Sequence, residues 1–216
     1  MVPAAQPRMS GRTPGGNASG FEVLAKIRDL FASVNHPPPP EARDSTTALA
    51  PSTGARYDFA MPAPLIVESE EDLKSIVQSA KKVAVVGIKD GTDPKAPAYH
   101  IPEILQKLGL RIFPVNPKLQ TVLGERAYPD LASLPERVDI VDVFRRPDAI
   151  PAIADEILAL PPEKRPAVVW LQTGIKNDAA AQKLAAAGIR VVQDHCLGVY
   201  SVHYRPDTSK TTPPKS

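Results

Sequence analysis

The chain is short of several features that would assign its class at once. It has one cysteine, Cys196, among 216 residues. That excludes an intrachain disulfide framework and a cysteine-rich zinc site, and it suits a reducing compartment. No apolar run approaches the ~18 residues that a membrane-spanning helix needs. Net charge is only +2, too small to argue for a nucleic-acid partner. The 12 glycines follow no triplet period, so a collagen-like chain is excluded. Proline is the one excess: 25 residues, about 12%, roughly twice ordinary usage. Even so, proline and glycine together reach about 17% of the chain, below the ~25–30% of a wholly disordered sequence. Hydrophobic residues make up 43%, enough for one core, and the length predicts one domain with tails.

Proline and charge are unevenly spread. Residues 1–66 hold ten prolines, including the run Pro37 to Pro40; residues 67–204 hold twelve and 205–216 hold three. Formal charge over the same three segments is +1, −1 and +2. Residues 1–66 therefore read as a mostly disordered arm, 67–204 as one domain, and 205–216 as a disordered tail. Within the arm, Phe21, Leu24, Ile27, Phe31 and Val34 recur at helical spacing. They predict an amphipathic helix over 21–34, suited to docking on its own domain or a sister subunit. Arg8 and Arg12 stand among acid-free residues 1–20, as in a transit peptide. Organellar targeting is thus an alternative to a cytoplasmic protein.

The middle segment alternates strands and helices. Ser69 followed by Glu70, Glu71 and Asp72 opens a helix, with acids where the helix dipole favours them. Leu73, Ile76, Val77 and Ala80 form its apolar face. Lys82 to Gly87 is a continuous apolar run that reads as a strand buried on both faces. A polar loop over 88–98 follows. Ile101, Ile104, Leu105 and Leu108 mark a second helix ended by Gly109, with Pro102 expected in its first turn. Further strands are expected over 111–115, 138–144, 167–171 and 189–192. Helices are expected on the Ile150, Ile153, Ala154, Ile157, Leu158 stripe and over 177–187. Such alternation predicts an α/β, Rossmann-like, doubly wound parallel sheet of about five strands. Such sheets bind ligands outside the carboxyl ends of their strands.

The residues at those ends are therefore the informative ones. Gly87 permits a sharp turn, and the helix after it can offer free N–H groups to a phosphate. The spacing Gly87-x-x-x-Gly91 departs from the dinucleotide fingerprint, and no Walker lysine motif is present. Asn116-Pro117-Lys118 stands where an NAD site carries an acid, and it suits a phosphorylated ligand better. Arg145 and Arg146 can clamp phosphate. Gln172 offers both a donor and an acceptor, and Gly174 allows close backbone approach. Asp194, His195 and Cys196 are chemically active types, but neighbours in extended chain face opposite ways, against a Cys–His dyad. His36, His100 and His203 lack metal-ligand spacing, so no metal site is expected.

These blocks occur in an order that resembles the CoA-binding domain family. They are Val83 to Gly87, Pro97-Ala-Tyr99, Val115-Asn-Pro117, Leu123-Gly-Glu125, Val138 to Arg146, Val169 to Gly174 and Asp194-x-Cys196. The family comprises small Rossmann proteins related to the CoA-binding domain of the succinyl-CoA synthetase α subunit. The likeness spans about 70–200. It implies coenzyme A, or an acyl-CoA or related adenine nucleotide, as ligand. On that resemblance, Gly87 and Ile88 approach the ligand through their backbone, and Tyr99 begins the helix over the site. Val115, Asn116 and Pro117 line the adenosine pocket, with Lys118 at the 3′-phosphate. Val143, Phe144 and Arg145 border the adenine or diphosphate, and Gln172 and Gly174 flank the pantetheine path. His195 departs from an arginine common in relatives, which removes one cation that could contact phosphate.

The function expected is a non-catalytic carrier, sensor or regulator that binds this small-molecule nucleotide, with homodimerisation open. The alternative is an enzyme acting on an acyl-CoA or nucleotide-linked substrate, with Cys196 as nucleophile. A third reading is an interaction scaffold built on the 21–34 helix.

Overall fold

A computed structural model describes residues 65–205. The helix expected over 21–34 and the segments read as disordered tails lie outside these residues, apart from the two ends of the range. The chain begins with the short strand β1, Ile66–Val67. Helix α1, Glu70–Ser79, follows as expected. Its N-cap is Ser69, whose Oγ accepts the Asp72 N–H at 3.2 Å, and Leu73, Ile76 and Val77 are buried. Strand β2, Lys82–Val86, is buried along nearly its whole length.

Helix α2, Pro97–Lys107, corrects one expectation. The first turn belongs to Pro97, and Pro102 lies in the helix interior. There it has no N–H to give the carbonyl four residues back. That carbonyl, of Ala98, instead accepts the N–H of Lys89 at 3.1 Å.

Strand β3, Arg111–Val115, leads into a small antiparallel ribbon of β4, Thr121–Val122, and β5, Glu125–Arg126. Leu123 and Gly124, both at positive φ (55° and 77°), make its turn, the geometry that a two-residue hairpin favours. Strand β6, Ile140–Val143, is followed by a 3₁₀ turn and helix α3, Ile150–Ala159. Strand β7, Val168–Leu171, and helix α4, Asp178–Ala186, come next. Strand β8, Arg190–Val192, and helix α5, Leu197–Tyr204, complete the fold.

The main sheet has six parallel strands in the order β1-β8-β7-β6-β2-β3. The sixth, absent from the expected five, is the two-residue β1. From β2 the chain moves outward to β3, then returns to β6 and continues the other way. Parallel crossovers are right-handed, so the reversal puts helices on opposite faces. Helices α3 and α4 pack together on one face; on the other, α5 packs against both α1 and α2. The carboxyl ends of β2 and β6 flank the point of reversal. Among the described residues, no helix is long and apolar enough to cross a membrane.

Candidate functional site

Three strand ends are latched side by side at the reversal point. The Gly87 N–H donates to Val115 O at 3.0 Å, and the Phe144 N–H donates to Val86 O at 2.9 Å. Gly87 adopts φ +85°, and a Cβ there would stand 2.7 Å from Phe144 O and 2.8 Å from Arg145 Cδ. Only glycine satisfies both demands. The backbone of β2 can therefore turn directly against the end of β6, with the Arg145 side chain laid over the turn.

Asn116 braces the neighbouring strand end. Its Nδ2 donates to Ile88 O at 2.7 Å, and its Oδ1 accepts the Lys118 N–H at 2.9 Å. The side chain thus joins the β2 and β3 loops and sets the turn that presents Pro117 and Lys118 to solvent. Tyr99, in the first turn of α2, lays its ring over Gly91, where an added Cβ would come within 3.2 Å. On the far side of β6, Gly174 at φ +78° donates its N–H to Asp194 Oδ1 at 2.6 Å. Asp194 itself sits at φ 58°, so the turns after β7 and β8 are tied through one carboxylate.

Cations gather at this end of the sheet. Among the described residues, Lys89, Lys95, Lys118 and Arg145 form no ion pair, whereas Arg146 pairs with Asp148 and Lys176 with Asp178. Lys89 and Lys95 share their exposed loop with Asp90 and Asp93, and hydrogen bonds from Thr92, helped by the Lys89 charge, hold the Asp90 carboxyl below its ordinary range. That leaves Lys118 and Arg145 as the exposed cations beside the strand-end turns that suit an anionic ligand.

Beneath the rim lies a buried polar group that the sequence reading overlooked. Asp142, 0% exposed in the middle of β6, accepts Gln172 Nε2 on both oxygens, at 2.8 and 3.0 Å. Burial pushes its carboxyl up to about 8, against the pull of those hydrogen bonds. Cys196, 8% exposed, faces the same carboxyl from the start of α5. Burial pushes its thiol up to about 11. His195 turns elsewhere: its ring lies 5.5 Å from that of Tyr200, with Nδ1 2.5 Å from Gln193 O. Its own carbonyl accepts Trp170 Nε1–H at 2.7 Å. Among the described residues, no group of three or more His, Cys, Asp or Glu side chains is placed to hold a metal ion.

Comparison with known families identifies the arrangement. The family model for the CoA binding domain matches residues 81–201, from the start of β2 into α5. The chain belongs to the CoA-binding domain family. A curated relative, the uncharacterised protein YneT of Bacillus subtilis (strain 168), is 36% identical over 131 residues, covering 61% of this chain and 93% of its own length. A solved structure from Thermus thermophilus is 40% identical with a TM-score of 0.58, covering 63% of this chain and 99% of that one. A hypothetical protein from Pyrococcus horikoshii OT3 is 27% identical with a TM-score of 0.57, over 67% and 97% of the two chains.

Within this CoA-binding domain, all twelve residues singled out from the sequence lie at or just beyond strand carboxyl ends, or at the start of α2. Their exposure divides them. Pro117, Lys118, Arg145 and Gly174 are exposed, and Gly87, Tyr99, Asn116 and Phe144 are half-buried. Ile88, Val115, Val143 and Gln172 are buried. The first three of these can offer a ligand only backbone or floor. Gln172, expected to flank the ligand path, is 4% exposed and gives its amide inward to Asp142. Cys196 is equally withdrawn. Burial disfavours the thiolate form of Cys196, the form in which a cysteine acts as a nucleophile.

Proposed function

We propose that this protein binds coenzyme A across the carboxyl ends of β3, β2 and β6 and acts as a binding module, a carrier, sensor or regulator. The single observation that carries the reading is the switch-point turn at Gly87. There, backbone of β2 and β6 approach too closely for any Cβ, beside Arg145 and Lys118, which form no ion pair among the described residues. The family membership supplies the ligand class. The turn at Gly87 and Ile88 lets a diphosphate lie against main chain, with Arg145 as its cation. Val115, Asn116 and Pro117 wall the adenosine, and Lys118, in no ion pair among the described residues, reaches the 3′-phosphate. Gly174 opens the path for the pantetheine arm. Asn116 acts as a brace, since its amide is already committed to Ile88 and Lys118. Burial of Cys196, which disfavours its thiolate, supports binding without chemistry on that residue.

A thermal-shift titration tests the reading, because a ligand that binds only the native state raises the midpoint with concentration. Coenzyme A is expected to shift it more than dephospho-CoA, and both more than NAD or ATP. No shift with millimolar coenzyme A overturns the proposal. Equal shifts for coenzyme A and dephospho-CoA withdraw the role given to Lys118.

A further inference from the structure

We infer that Pro102 is a positioning residue, holding the loop between β2 and α2 at the ligand site by leaving the Ala98 carbonyl free to anchor Lys89. The ligand in this inference rests on the coenzyme A reading; the anchoring does not.

In an α-helix the N–H of residue 102 belongs to the carbonyl of residue 98. Proline removes that donor, and its ring crowds the same carbonyl. A proline in a helix interior is costly, yet Pro102 is buried in α2. The Ala98 carbonyl finds its partner outside the helix, the Lys89 N–H at 3.1 Å. Lys89 directly follows Ile88, whose carbonyl is held by Asn116 Nδ2 at 2.7 Å. Two consecutive residues at the end of β2 are thus fixed, one from the β3 side and one from α2. The bonds farther along the loop are local, from Asp90 to Thr92 and from Asp93 to Lys95 and Ala96. The Lys89–Ala98 bond therefore ties the loop to the helix. Where the loop stands decides where the exposed Lys89 and Lys95 stand. Pro102 lies behind this arrangement, in the packed body of α2.

The test is Pro102→Ala in the full chain. Alanine restores an N–H that competes for the Ala98 carbonyl, and it is the better helix former. The thermal midpoint of the ligand-free variant is expected to rise by a few degrees. The Lys89 amide is expected to exchange faster with solvent. Coenzyme A affinity is expected to fall about three- to tenfold, as the loop must now be ordered on binding. A merely structural role for Pro102 would move stability and affinity together; this role moves them apart. Unchanged Lys89 exchange overturns the inference, and so does faster exchange with unchanged affinity. Titration of the wild-type protein separates the two claims. If it does not bind coenzyme A while the variant still frees the Lys89 amide, the ligand reading fails and the anchoring stands.

Discussion

Val86, Val143 and Leu171 point to one face of the sheet. Val85, Asp142 and Trp170, one residue earlier on the same three strands, point to the other. The first face is apolar throughout. Ala84, Val86, Val141, Val143, Val169 and Leu171 meet Ile150, Ile153 and Ile157 of α3 and Leu184 of α4 in one cluster. The second face carries a buried carboxyl, an amide, a thiol and an indole N–H among its aliphatic side chains. Apolar groups are satisfied by volume, so the first face is a matter of packing density. Polar groups must find particular partners. The second face therefore specifies where β6, β7 and α5 stand relative to each other, beneath the rim that carries the candidate site.

Three substitutions probe that contrast. The largest effect is expected on the apolar face. Ile157→Ala removes a fully buried side chain and should cost ~2–5 kcal/mol in urea unfolding, by the same amount at pH 5 and pH 8. A cost that changes with pH would mean that the two faces are not independent.

The second probe is Asp142→Asn. In the folded protein the Asp142 carboxyl holds its proton up to about pH 8, against the ordinary value of 3.8. Between those values the unfolded chain has released a proton that the native state keeps. Stability therefore falls as pH rises through that window, and levels off above it. The slope approaches ~1.4 kcal/mol per pH unit as an upper bound. Asparagine keeps an acceptor for Gln172 and cannot ionise. The variant is expected to flatten the pH dependence and to exceed wild type in stability by a few kcal/mol at pH 8. A profile identical to wild type would remove Asp142 as its source.

The smallest effect is expected at Arg205→Ala. Helix α1 has no basic residue in its last turn. Arg205 supplies one from the far end of the domain, donating from Nη1 to Ala80 O at 2.8 Å and to Val77 O. Losing these bonds at a partly buried helix end should cost ~1–3 kcal/mol, with no change in the pH profile. Little or no loss in denaturant unfolding would show that solvent replaces the guanidinium.

What the sequence made legible was whatever has a local signature. The Ser69 cap with its acidic first turn, the run Lys82 to Val86 and the stripe of Ile150, Ile153, Ala154 and Ile157 each announce one element. The strand ends followed from the alternation, which is why the candidate residues assemble at one edge. What stayed hidden depends on distant partners. Strand β1 has two residues and exists only because β8 lies beside it. Helix α5 buries Leu197 through Ser201 consecutively, so it shows no one-sided stripe. Asp142 reads as an ordinary acid until Gln172, 30 residues later, is folded against it. An acid in a strand expected to be buried on both faces was the available clue. Gln172, expected to flank the pantetheine path, turns inward for the same reason: its partner is remote. Pro102 was assigned to a first turn because Pro97, which starts the helix, lay in a segment read as loop.

The clamp from Arg205 onto α1 has a consequence for how the chain is made. A ribosome delivers α1 long before it delivers Arg205. Strand β1 must likewise wait for β8, whose Val191 N–H donates to Leu65 O at 2.6 Å. The first elements of the domain are thus finished by the last. Such long-range closure slows folding relative to locally connected chains. In the nascent protein β1 is without its partner until residues 190–192 have been made, and the end of α1 is incompletely capped until Arg205 follows.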